Sequence, residues 1–381
     1  MRQVVTISQA KKKKSKLNPF DFSLLVYVLL LLILGAFMVF SASYPYGLSH
    51  NQDGTYYIKR HMIFLAIGIV VMLLLSRVPI YVYKKITPAF YGLSIILLIL
   101  VLIGGFSEGL AKRWLGIPGT PLSFQPSELM KLGVVMMLSW YFDFSAEKKK
   151  KPWTDIIMPG LILFIPCLLV LLEKHLSGTI ILALIGLFVI FISGVQIRKM
   201  LIAYGVTGLI GGGIFLLTNS YALKRIESFL NPNADILSDK WQTTQGLYAI
   251  GSGGLFGLGY WNSRQKYSYV SEPQNDFIFT IWCEEMGYVG AIVLICLYIL
   301  LIFRGFKIAF SSNDIFSSLT AFGISSQVGI QAILNMLVVT DTVPNTGISL
   351  PFFSYGGSSL VILLAEMGIL LSISRKARLK K

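Results

Sequence analysis

The stretch "KYSYVSEPQNDFIFTIWCEEMGYVG", Lys266 to Gly290, sets the problem of this fold. It holds four acids, Glu272, Asp276, Glu284 and Glu285, and runs straight into a segment apolar enough to cross a membrane. A charge deep in hydrocarbon costs roughly 3 kcal/mol or more, so such side chains face a polar cavity or a partner. At the interface the cost falls. At the start of a span, Asp276 has two readings. It is a first-turn acid that satisfies free helical N–H groups, or a functional carboxylate at the water–lipid boundary. Glu284 and Glu285 lie two turns deeper and read as structural partners of a Lys, an Arg or backbone.

The rest of the chain has the same character. Of 381 residues, 55% are hydrophobic and 13% charged, and the mean hydropathy is +0.70. That is too apolar for a soluble domain of this length. Apolar runs near 20 residues long recur, and each spans a hydrocarbon core about 30 Å thick. The expectation is an all-α, polytopic integral membrane protein with ten transmembrane helices. Their limits are 22–43, 61–78, 86–105, 127–144, 153–173, 176–194, 199–218, 276–303, 315–339 and 351–373. The chain reads as a single membrane domain, 1–381, with a basic tail over 1–21 and a large loop over 219–275 between spans seven and eight. The first apolar run follows "KKKKSK" but is too long for a signal-peptide core, so it reads as an uncleaved first helix.

The net charge is +15. Its distribution speaks against nucleic acid, because no basic domain stands apart to grip a phosphate backbone. The cations cluster instead in "KKKKSK", "RVPIYVYKK", "EKKKK", "QIRK", "RGFK" and "RKARLKK", between apolar runs. Both termini then face the cytoplasm, with the basic loops on that side. Four outer segments result: 44–60, 106–126, 219–275 and the short "DTVPNTGIS". The third is by far the longest and calls for a functional reason. Cys167, Cys283 and Cys296 sit in apolar stretches with no CxxC spacing, which suggests neither a disulfide framework nor a zinc site.

Polar chemistry gathers on the outer side. In "FQPSELMKLG", Pro126 and Ser127 mark a helix start, and Glu128 and Lys131 share a face three residues apart. They form a local ion pair or the wall of a polar cavity; the cavity is favoured, since the Lys has no other reason to leave water. Lys112, Arg113 and Trp114 in "GLAKRW" suit a lipid phosphate or pyrophosphate head, or plain interfacial anchoring. Lys59 and Arg60 carry the same two readings. "GSGGLFGLG", Gly251 to Gly259, lacks the βαβ setting and the Lys-Ser/Thr of a phosphate loop. It reads as a tight segment packing backbone against helices, which is tolerated at membrane depth only inside protein or along a cavity. "PFFSYGGSS", Pro351 to Ser359, reads as a close-packing stretch of small residues. There is no P-loop, no metal-ligand spacing among His50, His61 and His175, and no nucleophilic Ser or Cys beside a base.

Taken in order, "AKRWLGIPG", "FQPSELMKL", "EKHLSGT", "WQTTQGLYAIGSGGLFGLG", "QKYSYVSEPQNDFIFTIWCEEMG" and "PNTGISLPFFSYGGSS" resemble the signatures of the SEDS family (shape, elongation, division and sporulation), whose branches are RodA, FtsW and SpoVE. The resemblance runs from the first span to the last and implies a peptidoglycan glycosyltransferase of the bacterial plasma membrane. Such an enzyme polymerises lipid II into a nascent glycan strand on the outer face. It works with a class B penicillin-binding protein and with other divisome or elongasome membrane proteins. The family's essential acid falls on Asp276, its cavity residues on Glu128 and Lys131, and its basic residue on Arg113, with Lys112 and Arg60 as further candidates for substrate binding. "EKHLSGT" is closer to the FtsW/SpoVE branch than to the "PDLGT" form of RodA. Ser271 and Asn275 depart from the usual Pro and Thr, and Asn275 bears on how Asp276 is oriented.

Chemistry agrees with the resemblance. Glycosyl transfer needs a base for an acceptor hydroxyl and cations for the leaving pyrophosphate. No cofactor is indicated; a divalent cation beside Asp276 is compatible with its carboxylate, but no ligand set demands one. Two other classes compete. A lipid II flippase needs polar residues along a path through the bilayer, whereas here only Glu284, Glu285 and Glu366 lie deep. A non-catalytic scaffold of the division machinery predicts that Asp276 is dispensable.

Overall fold

A computed structural model describes residues 20–107, 112–116, 123–146, 154–205 and 240–377, with isolated positions between 208 and 230. Helices α1 (Phe22–Asn51), α2 (Tyr56–Leu75) and α3 (Ile80–Gly104) are followed by strands β1 (Phe106–Ser107), β2 (Lys112–Gly116) and β3 (Ser123–Phe124). Then come α4 (Pro126–Ala146), α5 (Thr154–Leu172), α6 (Leu176–Ile192) and the short α7 (Ile197–Met200), which continues as a π-helical turn over Leu201–Gly205. The remaining helices are α8 (Trp241–Ser252), α9 (Ile278–Phe310), α10 (Ile315–Val339) and α11 (Ser358–Ser374).

Among the described residues, nine of the ten predicted spans overlap the helices above; the seventh, 199–218, is helical or π-helical at the positions that are described, and 206–207, 209–210, 214, 216 and 218 lie outside them. Among the described residues, five helices, α1, α2, α3, α9 and α10, are long and apolar enough to cross a membrane, and α5, α6 and α11 are shorter apolar helices. A 17-residue helix such as α11 spans about 26 Å at 1.5 Å per residue, the short end of what crosses a bilayer. The all-α expectation needs one correction. Part of 106–126 forms a small antiparallel sheet in the order β1-β2-β3, in which Trp114 pairs with Phe106 and Leu115 with Phe124.

α10 is the central element. Nearly every residue from Phe316 to Ala332 is buried, and the helix packs against α4, α6, α9 and α11. α2 and α3 instead turn Ile63, Ile67, Val70, Leu74, Ile96 and Leu100 outward, an apolar face suited to lipid. Helix ends are fixed by side chains. Asp21 accepts the Leu24 N–H at 2.9 Å as the α1 cap. The same carboxylate takes Arg304 of α9, with the guanidinium Nη2 at 2.7 Å, and the Asp21 N–H donates to Ser374 Oγ of α11 at 3.0 Å. Three helices are thus stitched at the end opposite the cavity described below.

The glycine-rich stretch explains why α9 bends. Gly287 has φ 67° and ψ −167°, which breaks the helical ladder. Backbone groups freed inside an apolar helix must find partners. Leu258 and Gly259 N–H donate to the Glu284 and Glu285 carbonyls at 2.9 and 3.0 Å, and Tyr288 and Val289 N–H donate to Gly254 and Leu255 at 2.9 and 3.1 Å. The approach leaves no room for side chains: a Cβ on Gly253 or Gly257 would lie 2.1 Å from the Cys283 or Glu285 carbonyl oxygen.

Candidate active site

Asp276 lies just ahead of α9, whose first residue is Ile278. The N-cap position is Phe277, whose side chain makes no capping bond. Three hydrogen bonds hold the backbone around Asp276. Asn335 of α10 donates Nδ2 to the Asp276 carbonyl at 2.7 Å and to the Ile348 carbonyl at 2.6 Å. The Tyr355 N–H donates to the Gln274 carbonyl at 2.8 Å. Gly347, at φ 65°, gives the Asp276 carboxylate its space: a Cβ there would sit 3.1 Å from Oδ2.

The carboxylate opens onto a cavity of about 260 Å³. Separate elements build its wall: Arg113 and Trp114 from β2, Ser127, Glu128 and Lys131 from α4, His175 and Ser177 from the start of α6, and Gln331 from α10. Asp276, Glu128, Lys131 and Arg113, widely separated in the chain, therefore meet at one place. Glu128 and Lys131 are at once an ion pair, Oε2 to Nζ 2.7 Å, and cavity wall. Lys131 is only 3% exposed, so its charge is weakly screened by water. Ser127 Oγ is buried without a hydrogen-bond partner. A polar atom left so in a wall is placed for a ligand or water.

His175 stands between α5 and α6, 3.2 Å from Gln125 Nε2 through Nδ1. Burial pushes its pKa down to about 3, and the Arg113 and Lys131 cations add to the effect. It is a neutral imidazole at any physiological pH. Arg113 also donates Nη2 to the Lys174 carbonyl at 3.3 Å, which ties the sheet to the α5–α6 turn. The chain around Asp276 thus offers two carboxylates, two cations and a neutral histidine around a polar space. That set can take a proton from a hydroxyl and meet developing negative charge.

Two expected residues stand elsewhere or undetermined. Arg60 lies over the Tyr56 ring at 4.8 Å, off the cavity wall. Lys112 belongs to β2, but its side chain lies outside the described residues. Glu284 and Glu285 have structural partners. Lys266 Nζ is 2.9 Å from Glu285 Oε1, with both side chains fully buried, and Glu284 accepts the Arg264 and Gln265 N–H groups at 2.9 and 3.3 Å. Glu366, buried in α11, accepts Gln327 Nε2 at 2.8 and 2.9 Å. The sequence reading missed His175, Ser177 and Gln331. His175 and Ser177 lie in the quoted "EKHLSGT"; Gln331 had no signal, since only packing shows which face of α10 turns to the cavity. Among the described residues no cluster of three His, Cys, Asp or Glu side chains is arranged to hold a metal ion.

Comparison with known proteins places this arrangement. Residues 22–379 match the model of the FtsW/RodA/SpoVE family, described as cell cycle protein. The chain is 37% identical over 363 residues to stage V sporulation protein E of Bacillus subtilis, covering 94% of this chain and 98% of that one. It is 35% identical over 376 residues to a probable peptidoglycan glycosyltransferase FtsW of Trichlorobacter lovleyi, covering 97% and 96%. Among solved structures, a chain from a study of polymerization and crosslinking by a peptidoglycan synthase complex superposes with a TM-score of 0.78 at 26% identity, covering 93% of this chain and 98% of that chain. The rod shape determining protein RodA of Thermus thermophilus superposes with a TM-score of 0.70 at 28% identity, covering 95% and 98%.

Proposed function

The chain belongs to the FtsW/RodA/SpoVE family of cell cycle proteins, and from that premise we propose that it polymerises lipid II on the outer face of the bacterial plasma membrane with Asp276 as general base. It is a peptidoglycan glycosyltransferase of the kind that serves cell division or sporulation. The observation that carries the catalytic assignment is the convergence of Asp276, Lys131, Glu128 and Arg113 on one cavity.

In the proposed step, Asp276 takes the proton from the 4-hydroxyl of the N-acetylglucosamine of an incoming lipid II. The freed oxygen attacks the anomeric carbon at the end of the growing strand. The bond from that carbon to undecaprenyl pyrophosphate breaks, the pyrophosphate leaves with the electron pair, and the configuration inverts. Lys131 and Arg113 meet its charge. Glu128 keeps Lys131 turned to the cavity through their 2.7 Å contact. The substrate has a wet sugar and a lipid tail, which is why the acid stands at a membrane boundary.

The ten-span topology belongs to this proposal: both termini inside, and 219–275 as the outer loop between spans seven and eight. So does a class B penicillin-binding protein as partner, a reading supported by the structural neighbour's origin in a peptidoglycan synthase complex. A flippase is disfavoured because Glu284, Glu285 and Glu366 are taken up by internal hydrogen bonds rather than lining a polar path.

The test is lipid II polymerisation by the purified protein with its partner, penicillin blocking cross-linking, wild type beside Asp276→Asn. Glycan strands from wild type and none from a folded, partner-bound variant are expected. Equal activity refutes the base; inactivity of both moves a lipid II flipping assay to the front.

A further inference from the structure

A strip of aromatic rings leads away from the cavity across the ends of α1 and α2. Tyr355, on the cavity wall, meets Tyr57 with ring centroids 5.3 Å apart and planes at 85°. Tyr57 lies 5.6 Å from Tyr46 and 5.2 Å from Tyr56. All four are half-buried; one face of Tyr46 stacks on His50 at 4.0 Å and Arg60 lies over Tyr56 at 4.8 Å, which leaves Tyr57 and Tyr355 as the central rings of the strip. The strip has a polar edge. Glu272 lies near the Tyr46 hydroxyl, whose pKa burial and then the Glu272 charge push up, and it accepts Asn275 Nδ2 at 2.7 Å. Asn275 also lines the cavity beside Asp276, and its Oδ1 is buried without a partner. Glu272 itself adopts φ 45°, a left-handed conformation rare outside glycine. Strain of this kind gathers where a side chain must be aimed.

We propose that this strip is a saccharide subsite that holds the amino-sugar units of the glycan next to the reacting one. The proposal rests on the polymerase reading above and extends it to named residues. A pyranose ring is apolar on its C–H faces and polar around its rim. Tyrosine rings supply apolar faces at low entropic cost, and a carboxylate with an open amide oxygen accepts hydroxyl and acetamido N–H donors. Glu272 together with Arg60 makes the strip mixed in charge rather than a cationic phosphate site, and a lipid tail would bury the Glu272 charge and leave Asn275 Oδ1 unsatisfied. An ordinary interfacial aromatic belt anchors a protein by rings spaced around its girth. Here Tyr57 touches the other three rings, one of which is on the cavity wall, and Glu272 lies near Tyr46 and Tyr57.

Two measurements test it with the full chain. Saturation-transfer NMR reads binding of a soluble N-acetylglucosamine tetramer, without any need for polymerisation. Tyr57→Leu, which keeps apolar bulk but loses the ring, and Glu272→Gln are each expected to weaken binding about threefold to tenfold. Tyr57→Phe is expected to restore it. In the partner-bound polymerisation assay the first two variants are expected to shorten strands by more than they slow initial turnover. The subsite is overturned if the tetramer shows no saturable binding or binds both variants as well as wild type. It is equally overturned if strand shortening follows loss of partner capture, which would make the strip a protein-docking surface. Binding with no polymerisation by wild type would refute the catalytic reading alone.

Discussion

Asp276 and Glu285 stand close together in sequence at the beginning of α9, yet their surroundings oppose each other. Glu285 is sealed. Its Oε1 takes Lys266 Nζ at 2.9 Å and Ser41 Oγ at 2.6 Å, and Lys266 spends its other protons on Ser41 Oγ and the Trp261 carbonyl at 2.9 and 2.7 Å. Asp276 looks into a cavity of about 260 Å³ whose wall carries Lys131 and Arg113. The lesson is that a carboxylate at a membrane boundary takes its role from what stands opposite. A dedicated ammonium ion makes it a clasp. A cavity with cations in its wall is the setting the proposed base requires.

The strongest way to break the comparison is Asp276→Asn. It removes the proton acceptor and keeps the shape, so polymerisation should fall about 10²- to 10⁴-fold while the unfolding midpoint in detergent stays at the wild-type value. A stability loss in place of an activity loss would turn Asp276 into another clasp. The converse experiment is Lys266→Met, which strands Glu285 as a buried charge. A loss of about 3–5 kcal/mol is expected from chemical unfolding. Adding Glu285→Leu should recover much of it, because an apolar pair escapes the desolvation penalty. A double variant no better than the single one would show that the pair does more than match charge.

Asn335→Ala sharpens the comparison from the second side. It removes the donor to the Asp276 and Ile348 carbonyls, leaving buried acceptors worth about 1–3 kcal/mol. Polymerisation should fall along with stability, since the base loses its fixed position; kcat is expected to move more than KM for lipid II. The smallest effect belongs to Asp53, in the exposed α1–α2 turn. Hydrogen bonds from Thr55 and then Lys59 hold its pKa at about 2, below the usual 3.8. A lowered folded-state pKa contributes stability above the unfolded value, and this is lost as pH falls from about 4 through 2. The gap in unfolding midpoint between wild type and Asp53→Asn should be small near neutrality and close over that window.

Much of this architecture was legible because membrane spans are written in composition. The 315–339 span matches α10 at both ends, since its cap, Asp314, binds the Ser317 N–H at 2.8 Å and polar residues bound the apolar run. Misreadings fell where local sequence and packing disagree. α1 runs on to Asn51 through the polar, aromatic segment assigned to a loop. α11 starts at Ser358, because Pro351 to Gly357 folds as a turn in which the Phe353 and Ser354 N–H groups bond the Leu350 carbonyl. Asp276, Glu128, Lys131 and Arg113, named from the sequence, line one cavity, whereas Gln331 beside them and the lowered pKa of His175 were invisible.

The sequence by itself determined that this chain is a bundle of apolar helices, with runs of cations at one set of helix ends and the candidate site residues at the other. Hydrophobic runs and charge runs are local properties, and the bilayer selects on them directly. Only the tertiary structure decided that Glu285 is held by Lys266 and that Asp276 lines a cavity. That depends on Lys266 folding back onto Glu285 and on β2, α4, α6 and α10 meeting around Asp276. Electrostatic roles follow distance and burial between residues far apart in the chain, and no local pattern encodes them.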